Sequence, residues 1–160
     1  MPSQNNNEIT NEGLRQEIEK QNVSPTNNAA HEVLAGKHLL WVEDDKFLGS
    51  IILKRMREYK CEVFLAKNGD EAFSYLSKGN QLPSIIILDL ILPGMSGFDI
   101  LKKIREDQNL SVVPILILSN LNQPADIERA KILGAQKFIV KASVSLDEII
   151  RNVESLIVKK

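Results

Sequence analysis

Thiols are almost missing from this chain. Cys61 is the only cysteine in 160 residues. An intrachain disulfide and a cysteine metal cluster are therefore both excluded, and Cys61 reads as a small apolar packing residue. A dominant charge is missing too: 20 basic residues stand against 21 acidic ones, a formal net charge of -1. That balance gives no electrostatic reason to expect direct nucleic-acid binding. No apolar run approaches the roughly 20 residues that cross a bilayer, so membrane insertion is not expected. The opening MPSQNNNEIT lacks the basic region and apolar stretch of a secretory signal. A cytoplasmic location follows by default.

What the chain does have is 43% apolar residues, enough for one folded domain with a sizeable core and a modest extension. Residues 1–35 differ from the rest, being rich in Asn, Gln and Glu with scattered apolar positions. Leu14 and Ile18 share a helical face, so 12–20 could form a short helix, but the apolar surface is too small for an independent core. Residues 1–35 are expected to be a polar, flexible extension, and residues 36–160 the folded domain. A partner-binding or dimerising helix is the sharper reading of the extension.

From Lys37 onward, short apolar runs alternate with amphipathic stretches. HLLWV (38–42), CEVFLA (61–66), SIIILDL (84–90), PILILS (114–119) and KFIVK (137–141) are too short for typical helices and most are rich in β-branched residues, so five strands are predicted. Near-continuous apolarity suits parallel strands covered on both faces. Between them lie helical faces: Phe47, Leu48, Ile51, Ile52 and Met56; Ala72, Phe73 and Leu76; Phe98, Leu101 and Ile104. A fourth helix should start at Pro124 and stop at Gly134. The fifth carries Leu146, Ile149, Ile150, Val153 and Leu156, with Ser145 and Glu148 placed as a capping box. This alternation predicts an α/β fold of flavodoxin-like type, a doubly wound parallel sheet in the order 2-1-3-4-5 with five helices. Its ligand crevice would lie beyond the strand C-termini, where strands 1 and 3 part.

The reactive side chains fall at those strand ends. The first strand runs into Glu43, Asp44 and Asp45, the third into Asp89, the fourth into Ser119 and the fifth into Lys141. Clustered carboxylates repel one another in a half-buried crevice, and a divalent cation resolves the conflict. The donors on offer are all oxygens, which favours Mg2+ over zinc. Asp89 then has the makings of a nucleophile that forms an aspartyl phosphate. Lys141 would balance the arriving charge, and Ser119 could hydrogen-bond a phosphoryl oxygen. Singly, each admits a structural reading: Asp45 could be only a helix cap or first-turn anion, and Glu43 and Asp44 a solvated helix start. Asp89 is harder to read that way, because it interrupts the apolar run IIILDLIL.

Over residues 36–158 the chain resembles the receiver domain of two-component response regulators, through LLWVEDD, IIILDLILPGMSGFDIL, ILILSN and GAQKFIVKAS in family order and spacing. The resemblance implies a phosphoacceptor protein rather than an enzyme with an external substrate. Asp89 would take a phosphoryl group from a histidine kinase or phosphotransfer protein. Asp44 would bind the metal directly and Glu43 through water, with Asp89 and the backbone carbonyl of Ile91 completing the protein ligands. Ser119 and Phe138 would be the switch pair, and Lys141 the family's lysine. Phosphorylation would then alter a face made by the fourth helix, fifth strand and fifth helix, which would bind a downstream protein or a second copy in a homodimer. No output domain is expected in this chain.

Three departures from the family pattern stand out. Ala142 follows Lys141 where a cis proline is usual, which predicts a trans bond or visible strain, since a cis bond before a non-proline costs about 2.5–4 kcal/mol. The segment ASVS is about a residue longer than usual, and Asn120 follows Ser119 where a smaller residue is common. Ile91 and Leu121 occupy the places that flank the hydrolytic water, and being apolar they predict slow self-dephosphorylation. His31 lacks a kinase-type context and reads as a linker histidine. A haloacid-dehalogenase-type phosphatase would need a second Asp where Ile91 stands. The sequence also admits a phosphorylation-independent pseudo-receiver interaction module, and a fragment of a hybrid kinase.

Overall fold

In the computed structural model, the described residues are 32–79 and 81–159. The sequence expectations for residues 12–20 and for His31 lie outside them. Five strands, β1 (His38–Val42), β2 (Glu62–Ala66), β3 (Ile85–Leu88), β4 (Ile115–Ser119) and β5 (Lys137–Val140), form one parallel sheet in the order β2-β1-β3-β4-β5. Five α-helices connect and follow them: α1 (Lys46–Glu58), α2 (Gly69–Lys78), α3 (Gly97–Glu106), α4 (Pro124–Ile132) and α5 (Leu146–Val158). A helical turn over residues 32–34 precedes β1. The fold class and strand order are those expected.

The central strands explain why their sequences are apolar on both faces. Every residue of β3 and β4 is buried, whereas β2 and β5, at the sheet edges, each keep exposed positions. One core layer joins Leu40, Val42, Ile86 and Leu88 to Phe98, Leu101 and Ile104 of α3. The opposite layer joins Leu39, Trp41 and Ile87 to Ile52 and Met56 of α1 and to Ile149, Ile150 and Val153 of α5. Fully burying each such side chain contributes about 1.5–3 kcal/mol, so these two layers hold the sheet between its helices. Leu34, in the turn before β1, is fully buried in the second layer, which places it in the core although it precedes residue 36.

Helix ends follow local chemistry. Asp45 caps α1 by accepting from the backbone N–H of Phe47 and Leu48, and Ser145 with Glu148 forms a reciprocal capping box at α5. Gly134 lies just beyond α4 at φ +99, a left-handed conformation that closes a helix most easily at glycine. One helical face differs from the periodicity argument. Phe47 is 65% exposed, because α1 packs on the sheet through Gly49, Ile52 and Met56 and its second residue lies off that face.

Candidate functional site

Parallel pairing brings two carboxylates to the same edge of the sheet. The Glu43 N–H donates to the Ala66 carbonyl and the Asp89 N–H to the Val42 carbonyl, at 2.8 and 3.1 Å. Each residue thus sits one step beyond its strand, still tied to the neighbouring strand. Ser119 is the last residue of β4 and lies in register with Val140, directly before Lys141. Four strand ends therefore deliver Glu43, Asp89, Ser119 and Lys141 to the C-terminal side of one sheet.

Lys141 is the centre of the site's electrostatics. Its Nζ donates to Asp89 Oδ2 at 2.6 Å and lies 2.5 Å from Glu43 Oε2. The second contact is an ion pair without hydrogen-bond alignment, since Glu43 Oε2 has no well-directed donor. Glu43 is 2% and Asp89 5% exposed, so the Lys141 ammonium lies between two buried carboxyl groups. Burial pushes the Glu43 carboxyl above its ordinary value, although Lys141 and the Asp45 N–H pull it down. Burial also works against the Lys141 charge, but the hydrogen bond to Asp89 and the charges of Asp89 and Glu43 outweigh it and hold the ammonium above its ordinary value.

The carboxylate oxygens of Glu43, Asp44 and Asp89 lie within 4.8 Å of one another, with Asp44 exposed at the rim. This all-oxygen donor set, already drawing in one cation, fits a hard divalent ion such as Mg2+. Asp45 resolves to the cap reading, because its Oδ1 is occupied by the two α1 N–H groups. Asp89 Oδ1 accepts from the Ile91 N–H at 3.1 Å, which fixes the carboxylate plane. Ile91 is itself 55% exposed. Ser119 is fully buried, and its Oγ has only a long contact, 3.5 Å, from the Leu121 N–H. Its hydroxyl is thus weakly held and able to turn. Phe138 is half-buried against the layer containing Leu88 and Ile117.

The chain leaves β5 through a single 3-10 turn, Lys141–Ser143, and no described peptide bond is cis. The trans option expected for Lys141–Ala142 is the one adopted. One neighbour of the site escaped the sequence reading. A Cβ on Gly97 would lie 2.5 Å from the Leu90 Cα and closer still to the Asp89 carbonyl oxygen. Only glycine lets the start of α3 press against the backbone that carries Asp89. Its signal was the glycine directly after Ser96, which caps that helix.

The match to the family described as response regulator receiver domain spans residues 39–154. Among curated proteins, the chain is 35% identical over 114 residues to the two-component response regulator ARR17 of Arabidopsis thaliana, covering 65% of this chain and 74% of that one. Among solved structures, the non-phosphorylated HemR receiver domain from Leptospira biflexa superposes with a TM-score of 0.68 at 30% identity, over 76% of this chain and 94% of that chain. The receiver domain of sensor histidine kinase PA1611 from Pseudomonas aeruginosa, solved with a magnesium ion coordinated in its active-site cleft, gives 0.67 at 26% identity, over 77% and 98% of the two chains. Among the described residues no helix is long and apolar enough to cross a membrane.

Proposed function

The chain belongs to the response regulator receiver domain family, and from that premise we propose that it is a phosphate-driven signalling switch with Asp89 as its acceptor. The observation that carries this reading is the ammonium of Lys141, held between the buried carboxylates of Asp89 and Glu43. In the proposed transfer an Asp89 oxygen attacks phosphorus, the phosphorus–nitrogen bond to a donor histidine breaks, and the donor ring, already protonated on its other nitrogen, leaves as neutral imidazole. Lys141 would then pair with a phosphoryl oxygen, and the Ser119 hydroxyl would donate to another. Glu43, Asp44 and Asp89, with the Ile91 carbonyl, would hold Mg2+, which when bound would offset negative charge on the phosphoryl group.

The modification would replace the single negative charge of the Asp89 carboxylate with about 1.5–2 charges on three phosphoryl oxygens. Ser119, buried with a weakly engaged Oγ, would turn toward them, and Phe138 would move into the vacated space. The face built from α4, β5 and α5 would change its affinity for a downstream protein or a second copy, as a shift between two populations. The donor would be a histidine kinase or a phosphotransfer protein, and the switch would work in the cytoplasm. Residues 36–160, with Leu34 packed into their core, would carry this switch.

Acetyl phosphate with Mg2+ tests the reading by intact mass. One phosphoryl group is expected on the wild type, and none without Mg2+ or in Asp89→Ala. No addition in the wild type, with Mg2+ binding also undetectable, would instead identify a phosphorylation-independent interaction module.

A further inference from the structure

The five α-helices are not held equally. Helix α3 buries Gly97, Phe98, Ile100, Leu101 and Ile104, and α5 buries four residues, whereas α4 buries Ala130 alone. Helix α4 is also the one α-helix among the described residues whose N-cap makes no side-chain hydrogen bond. Its apolar residue Ile132 points outward at 76% exposure. Hydrophobic burial and capping, which fasten the other helices, therefore do little here.

Two arginines stand in their place. The Arg129 guanidinium of α4 lies 4.1 Å from the ring centre of Phe98 on α3, within cation–π range. Arg105, at the far end of α3, donates to the Gly134 carbonyl just past α4 at 3.0 Å and to Gln136 Oε1 at 2.9 Å. Arg105 is itself anchored on the Ser111 and Val113 carbonyls at 3.1 and 2.8 Å. Phe98 in turn follows Gly97, which presses on the Asp89 backbone. A contiguous line of contact therefore runs from Asp89 through Gly97 and Phe98 to Arg129.

We propose that Arg129 on Phe98, backed by Arg105 on Gly134, is a latch that holds α4 against α3 in the unmodified protein and opposes the switched state. The coupling to Asp89 rests on the reading of that residue as acceptor. It is a route through α3, separate from Ser119 and Phe138. Because linkage is reciprocal, a contact that favours the resting state must weaken binding of whatever favours the other state. Releasing the latch should therefore loosen α4 and tighten the binding of a phosphoryl mimic by a similar factor.

The test compares Arg129→Ala, Arg129→Lys and the wild type by amide hydrogen exchange, and by 19F titration with beryllofluoride in the presence of Mg2+. Local opening sets the exchange rate. Exchange over 124–133 should rise about two- to fivefold in Arg129→Ala, the range of an exposed cation–π contact, with β1 and β3 unchanged. Beryllofluoride should bind tighter by a similar factor, and Arg129→Lys should stay near wild type on both counts. Unchanged α4 exchange, or a rise shared by β1 and β3, overturns the latch. Faster α4 exchange with unchanged beryllofluoride affinity overturns its coupling to the site. A wild type that binds no beryllofluoride contradicts the acceptor reading itself and with it the coupling, whereas the exchange comparison needs no ligand and judges the latch alone.

Discussion

Removing Lys141 should expose how much of the site's charge depends on one ammonium. In Lys141→Met, the carboxylates of Glu43 and Asp89 lose the cation 2.5 and 2.6 Å away while remaining buried. Removing one partner of a fully buried ion pair costs about 3–5 kcal/mol. The Lys141 side chain is 16% exposed, so solvent reaches the site and the expected cost is lower, about 2–4 kcal/mol. For a domain of this size that lowers the melting temperature by roughly 10 °C, short of unfolding a protein of ordinary stability. Trp41, the only tryptophan and 1% exposed, reports the transition by fluorescence. Two further measurements separate charge from packing. In a Glu43→Gln background the same Lys141→Met change should cost at most about half as much, because one of the two stranded charges is gone. Millimolar Mg2+ should recover part of the lost stability in Lys141→Met, since a ligand that binds only the folded state stabilises it by mass action. An equal cost in both backgrounds together with no effect of Mg2+ would refute the electrostatic account and make Lys141 a packing residue.

Four more outcomes are expected from the same geometry. Gly97→Ala should destabilise the fold by about 3 kcal/mol, read by urea denaturation, because the new methyl meets the Asp89 backbone; a neutral result would mean that α3 can retreat freely. Cys61, with its thiol pushed up by burial to about 11, should resist iodoacetamide at pH 8 in the native state and react once urea unfolds the chain. Ser145 holds the Glu148 carboxyl below its ordinary value of 4.5 through backbone and side-chain hydrogen bonds. The capping box should therefore be intact above that pH and be lost as pH falls through the depressed value, seen as faster amide exchange at 145–149. Ile91→Asn should shorten the phosphoryl lifetime by about tenfold by giving the hydrolytic water a polar partner, and an unchanged decay rate would remove Ile91 from the explanation.

Much of this architecture was legible because local and tertiary signals agree. β1 begins and ends where its apolar run does, at His38 and Val42, since a central parallel strand needs an unbroken apolar segment. Pro124, Gly134 and the Ser145–Glu148 box mark helix ends through chemistry confined to a few neighbouring residues. Phe47 misled because its spacing fits more than one apolar face, and packing through Gly49, Ile52 and Met56 decides which one is buried. The strand-end rule foretold that Glu43, Asp89 and Lys141 would meet, while the depth of Glu43 and its contact with Lys141 required the fold. Arg105 and Arg129 were invisible as anything but basic residues near helix C-termini. The carbonyls and the ring they engage are brought to them only by packing of α3 against α4.

The identity of the acceptor is the claim on which the rest depends. Protein treated with acetyl phosphate and Mg2+ should be reduced with borohydride, which converts an acyl phosphate to the alcohol, then digested and sequenced by mass spectrometry. The account predicts homoserine in place of Asp89 and at no other aspartate. Conversion at Asp44 or elsewhere with Asp89 untouched would contradict it.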